Sequence, residues 1–245
     1  MDISDLFWNA TSEELKNGFV ETENGYICLL CGQEVEKGII YPHEDVFYEA
    51  VRYIRLHIVE THGSVFEYLI GLDKRLTGLT DHQNRLLRLF YQGKSDEEVK
   101  QEMEIGSTAT IRNHRFVLKE KERQARVFLT LMALLNDRDS HRPAFLNFPS
   151  TATMVDERYN VTRDEEEKIL KKYFPQGVHG PITTFNLKEK HRLVVLREIA
   201  RHFNTGETYT EKEVNRILQP IYHDFATVRR YLIEYGFLDR KPDGS

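Results

Sequence analysis

Cys28 and Cys31 are the only cysteines in a chain of 245 residues, and two residues separate them. The stretch Tyr26-Ile27-Cys28-Leu29-Leu30-Cys31-Gly32 has the form of a zinc knuckle, two thiolates on a tight turn with a glycine after the second. His57 and His62 follow in Arg55-Leu56-His57-Ile58-Val59-Glu60-Thr61-His62-Gly63. Two sulfur and two nitrogen donors make a closed tetrahedral zinc site of the structural kind, without an open position for water. His43 is an alternative to either histidine. The 25 residues between Cys31 and His57 exceed the interval of ordinary DNA-reading fingers, so the module is expected to be structural or to organise a dimer. The same cysteine spacing also serves a redox switch or two unconnected thiols, and the histidines could stand on the surface. In a reducing compartment either reading precedes a structural disulfide. Glu60 is the one carboxylate near enough in sequence to act as a base, and no open coordination position accompanies it. With no paired-carboxylate motif and no nucleophile beside a base, an enzyme is not expected.

A second group of residues has the chemistry of nucleic-acid recognition. Ser107, Thr108 and Thr110 can donate to phosphates beside the free N–H groups of a helix start. Arg112, Asn113 and Arg115 carry fork and amide geometries that suit guanine and adenine edges, and Lys119 adds a cation one turn on. The formal net charge of -5 argues mildly against a polyanion partner, but salt screens charge beyond roughly 8–10 Å, so local distribution decides. That distribution is uneven. Acidic residues crowd 96–104 and 164–167, whereas Arg112, Arg115, Lys119, Lys121, Arg123 and Arg126 face only Glu120 and Glu122 on their stretch.

The elements that must position these groups are mainly helices. Thr11 with Glu14, Thr80 with Gln83, Ser95 with Glu98, Thr162 with Glu165 and Thr210 with Glu213 are capping-box pairs, predicting five helix starts. An amphipathic run covers Asp45 to Glu60. Gly93 stands where a helix ends, and Glu104-Ile105-Gly106 is a short turn before an N-cap at Ser107. No glycine or proline interrupts Thr108 to Leu135, which predicts one helix roughly 40 Å long at ~1.5 Å per residue. Ile111, Leu118, Ala125 and Met132 recur every seven along it, and Phe128, Leu131, Leu134 and Leu135 thicken that stripe, so its end is expected to be buried, in a dimer. Pro143 and Pro149 among Ser, Thr and Asn mark 137–160 as a linker or an irregular packed strap. Further helices are expected from Thr162 to before Pro175 and over Lys188–Phe203, Glu211–Leu218 and Asp224–Tyr235.

The segment Leu79 to Lys121 resembles the DNA-binding domain of LuxR/NarL-type regulators. Leu79-Thr80, Leu86-Leu87-Arg88-Leu89, Gln92-Gly93 with Ser95, Glu98-Val99 and Thr110-Ile111-Arg112-Asn113-His114-Arg115 carry the likeness. It departs in a turn one residue longer before the third helix, in Lys100 where the family has a small residue, and in lacking the glycine that ends that helix. The resemblance implies a helix-turn-helix whose recognition helix, 107–119, enters the major groove of double-stranded DNA. The last quarter, Lys188 onward with Gly236-Phe237-Leu238-Asp239-Arg240 and a Pro-Asp-Gly turn, resembles a winged-helix-like domain attached to some bacterial regulators of Bacillus-type organisms. There Thr227, Arg229 and Arg230 lie where such a fold would face DNA, with Val228, Leu232 and Phe237 in the core, and the same fold can equally serve as a protein-docking or dimer module.

The expected architecture is therefore mainly α and multi-domain: a zinc-binding module over 1–77, a helix-turn-helix with its long helix over 78–136, a linker over 137–160 and a winged-helix-like domain over 161–245. The expected function is sequence-specific regulation of transcription by a dimer on double-stranded DNA, with RNA polymerase or another regulatory protein as a further partner. The alternative is a zinc- or thiol-dependent sensor that works through protein contacts. No apolar run is long enough to span a membrane, and acidic residues stand in Met1-Asp2-Ile3-Ser4-Asp5 where an export signal needs basic ones, so a cytoplasmic location is expected.

Overall fold

Five helices begin on the same local device. Thr11, Thr80, Ser95, Thr162 and Thr210 each accept the backbone N–H three residues on, while Glu14, Gln83, Glu98, Glu165 and Glu213 accept the N–H of the capping residue. The reciprocal pair satisfies two donors that a helix start leaves free, so each start is fixed within a single turn of chain. The computed structural model describes residues 3–139, 141–152, 156–204 and 207–239. They form a mainly helical protein with small antiparallel sheets. Two units result, one made of 78–144 and the other of 1–77 together with 145–245. The first 77 residues and the C-terminal segment, expected as separate domains, thus share one unit.

In the larger unit, α1 (Ile3–Asn9) and α2 (Ser12–Asn17) precede a sheet of β1 (Phe19–Glu21), β2 (Gly25–Cys28) and β3 (Glu34–Glu36). Phe19 pairs with Cys28 and Tyr26 with Val35, both antiparallel. A hairpin of β4 (Ile40–His43) and β5 (Val46–Glu49) leads into α3 (Ala50–His62). The amphipathic run beginning at Asp45 is therefore part strand, and its helix starts at Ala50. Ala50, Ile54 and Ile58, four residues apart on one face, bury against Phe19, Cys28, Leu30 and Val35. Two short helices follow, α4 (Val65–Gly71) and α5 (Lys74–Thr77).

The smaller unit holds α6 (Asp81–Tyr91), α7 (Asp96–Glu102) and α8 (Thr108–Asn136). Gly93 takes φ +77° after α6, a conformation that costs a glycine little. Leu86, Leu89, Val99 and Ile111 form the core, with Phe90, Met103 and Ile105 packed around it. The 29 residues of α8 extend about 43 Å at ~1.5 Å per residue. Its far half is not covered by the described residues of its own unit: every residue from Lys121 to Asn136 is exposed. Phe128, Leu129, Leu131, Leu134 and Leu135 are more than half exposed, so the burial expected of the stripe is not met among the described residues of this unit.

The larger unit resumes at Phe145, which bridges to Thr162, and Leu146 donates its N–H to the Val161 carbonyl at 2.8 Å. Leu146 and Ala152 are buried. Of the stretch read as linker or packed strap, residues 145–152 are thus a packed strap. A 3-10 turn (Glu157–Tyr159) and α9 (Arg163–Tyr173) lead to α10 (Glu189–Ala200), α11 (Glu211–Leu218) and α12 (Phe225–Glu234). Their core gathers Val161, Ile169, Leu193 to Leu196, Ile199, Leu218, Val228 and Leu232. Glu207 to Tyr209 form no strand, and none follows α12 among the described residues, which reach Asp239. The expected Pro-Asp-Gly turn lies outside them. No helix among the described residues is long and apolar enough to cross a membrane.

Candidate metal centre and nucleic-acid interface

The knuckle between β2 and β3 is shaped by its own backbone. The Gly32 N–H donates to the Cys28 carbonyl at 2.8 Å and the Cys28 N–H to the Gln33 carbonyl at 2.9 Å. Gly32 takes φ +79° to close this turn. The turn lies against α3, whose C-terminal half supplies His57 and His62. Donor atoms of Cys28, Cys31, His57 and His62 all fall within 4.8 Å of one another. Cys31 Sγ is 3.2 Å from His57 Nε2, and Cys28 Sγ is 3.7 Å from His62 Nε2. Zinc–sulfur and zinc–nitrogen bonds of ~2.3 and ~2.0 Å in a tetrahedron separate neighbouring donors by roughly 3.3–3.8 Å. The donor set therefore fits a zinc ion.

The electrostatics divide the two sulfurs between one proton and one thiolate. The bond from Cys28 pulls the Cys31 thiol well below its ordinary range, helped by His57, His62 and the Gln33 N–H and opposed by burial. That shared bond, with burial, pushes Cys28 up, while the N–H groups of Leu30 and Cys31 favour its thiolate. Backbone donors aimed at both sulfurs offset the cost of burying them. His57 Nδ1 lies 3.2 Å from Thr61 Oγ1, an outer partner that orients the ring. Thr61 stands four residues on along the same helix, so its role was readable from spacing alone. His43 sits on the β4–β5 hairpin and pairs with Glu60 at 2.9 Å. It is outside the four-residue cluster, and Glu60 is occupied with it.

At the start of α8, Ser107 caps the helix by accepting the Thr110 N–H at 3.3 Å, and its hydroxyl lies 3.0 Å from that of Thr110. Glu104, at φ +55°, turns the chain between α7 and α8. Ile111 is fully buried, which turns its neighbours Arg112 and Asn113 outward. Both are exposed, and neither side chain has a hydrogen bond or ion pair among the described residues. Ser107 and Thr110 are exposed beside them, and Thr108 is half-buried.

Arg115 and Lys119 are placed differently. The Arg115 guanidinium lies 3.6 Å over the Phe90 ring and pairs with Asp96 at 2.8 Å. That residue ties α8 to α6 and α7. Lys119 pairs with Glu122 at 2.6 Å, and its hydrogen bond holds the Glu122 carboxyl below its ordinary range. In the C-terminal segment Arg229 is held by Glu211 and Asn215. Phe90, Asp96 and Arg115 come from three helices, so no spacing in the sequence signals their meeting.

Residues 181–245, about the last quarter of the chain, match the model of a family described as an uncharacterized protein conserved in bacteria, DUF2087. The matched stretch covers α10, α11 and α12 with the loop before them. No curated protein and no solved structure matches the chain.

Proposed function

We propose that the protein is a sequence-specific regulator of transcription that binds double-stranded DNA with residues 107–119 in the major groove. The observation that carries this reading is the start of α8: a capped helix presenting Ser107, Thr110, Arg112 and Asn113 outward, with Arg112 and Asn113 unengaged. Side chains that serve the fold acquire partners within it, as Arg115 does. Long polar side chains left free on a helix start are what base-edge readout requires. Arg115 acts chiefly as the brace that holds α8 against α6 and α7. Two copies pair through the uncovered apolar residues from Phe128 to Leu135, which suits a two-fold DNA site. The protein acts in the cytoplasm, and zinc at the four-residue cluster is structural, since all four of its positions are protein donors. RNA polymerase or another regulatory protein is a secondary partner.

Selection from random duplexes followed by a mobility-shift series in salt tests the proposal. One enriched sequence should emerge, and affinity for it should fall steeply with salt through counterion release. Equal recovery of all sequences by wild type and Arg112→Ala would count against it. The same apolar residues of α8 favour a second reading, a zinc- or thiol-dependent adaptor that acts through protein contacts. Zinc-loaded protein that selects no duplex would shift the balance to it.

A further inference from the structure

The metal cluster is joined to the rest of its unit by a chain of aromatic contacts. The His62 ring meets Tyr68 of α4 edge-on at 5.8 Å. Tyr68 also packs near Phe7 of α1 at 6.5 Å and places its hydroxyl 2.9 Å from Ser150 Oγ on the strap. Phe7 is buried and packs against Trp8 at 5.1 Å. Trp8 packs at a tilt against Phe148 at 5.1 Å and donates its indole N–H to the Phe148 carbonyl at 2.6 Å. On the same helix, Asp5 accepts from Asn147 at 2.9 Å and lies 3.6 Å from the buried Arg197 of α10. Residues 147, 148 and 150 are therefore gripped by α1 and by the one tyrosine that leans on a ligand histidine.

We infer that metal occupancy of the Cys28, Cys31, His57 and His62 cluster controls this joint, so that the strap at 147–150 is docked when metal is bound and released when it is lost. The inference rests on the metal reading above and is independent of DNA binding. The physical route is short. The four donors hold the knuckle to the end of α3, where His62 is the last residue before the turn into α4. Without a metal, the His62 ring is left with its 3.7 Å contact to Cys28 and edge-on contacts with His57 and Tyr68 in place of a coordination bond, so the wall that orients the Tyr68 ring is no longer fixed. The strap is also the segment by which the chain returns from the 78–144 unit. Loosening it frees the tether of the helix-turn-helix, which makes the module a metal-responsive clasp.

Trp8 is the only tryptophan, so its fluorescence reads the joint directly in the full chain. Metal analysis comes first, and the protein is then compared zinc-loaded, chelator-treated and zinc-restored. Chelation should shift Trp8 emission to the red, increase quenching by acrylamide and open protease cleavage within 141–152, all reversed by zinc. Tyr68→Ala should keep its zinc yet show the emission and cleavage of the chelated wild type. Trp8 emission and cleavage unchanged by chelation would overturn the inference, as would zinc-loaded Tyr68→Ala that behaves as wild type. A chain that takes up no zinc overturns both this inference and the metal reading, whereas one that binds zinc without moving Trp8 overturns the coupling alone.

Discussion

Ile111 and Arg112 are sequence neighbours with opposite fates, and exchanging each for alanine separates folding from recognition. Ile111 is fully buried among Leu86, Leu89 and Val99, so Ile111→Ala leaves a cavity that costs ~2–5 kcal/mol. The unit spans 78–144, and at ~0.05–0.15 kcal/mol per residue its whole stability is roughly 3–10 kcal/mol. The substitution therefore takes a large share of it. Arg112→Ala removes an exposed side chain with no partner among the described residues and should change stability by no more than about 0.5 kcal/mol. Against a selected DNA site it should lose ~1–3 kcal/mol of discrimination, about 5- to 150-fold. Denaturant titration followed by circular dichroism reads the first quantity, and competition mobility shifts with cognate and scrambled duplexes read the second. An Arg112→Ala protein that unfolds as easily as Ile111→Ala, or that discriminates cognate DNA as well as wild type, would refute this separation.

Arg115→Ala should behave unlike Arg112→Ala, losing about 1 kcal/mol of stability with its half-exposed Asp96 pair and Phe90 contact; a thermal melt of each variant checks the difference. Glu98 is held below its ordinary value by hydrogen bonds from the Ser95 hydroxyl and then the Ser95 N–H. A depressed carboxyl contributes stability above the unfolded value of ~4.3 and loses it as pH falls through the folded one. Helicity measured from neutral to acid pH should therefore decline less steeply in Glu98→Gln than in wild type. If two copies pair as proposed, Phe128→Glu with Leu135→Glu should sediment as a monomer where wild type sediments as a dimer, while leaving the melt of the single chain unchanged, because both side chains are exposed in it.

Helix starts were legible because a capping box is written in four consecutive residues. Ser95 and Glu98 need nothing distant to find each other, and the same holds for Thr210 and Glu213. The cysteines and histidines were legible by type, whereas the choice of His62 over His43 depended on where the β4–β5 hairpin places its end. The strands of the first 50 residues escaped notice because three- and four-residue strands leave no room for alternation to show. Residues 145–152 have the composition of a linker, yet they are packed by Trp8, Tyr68 and Val161. Those partners lie up to 140 residues away in sequence, beyond any local signal. Arg115 resembles Arg112 in type and spacing, and only the tertiary approach of Phe90 and Asp96 separates their surroundings.

The division of the chain sets an order of events during synthesis. Residues 78–144 are contiguous, so this body can close as soon as it leaves the ribosome, on contacts local enough for fast folding. The other body is interrupted by it, and Trp8 must wait for Phe148 and Asp5 for Arg197 before their shared surface exists. Until translation passes that point the first segment stands alone with Phe7 and Tyr68 uncovered, and a metal taken up early would give the nascent chain its first fixed structure.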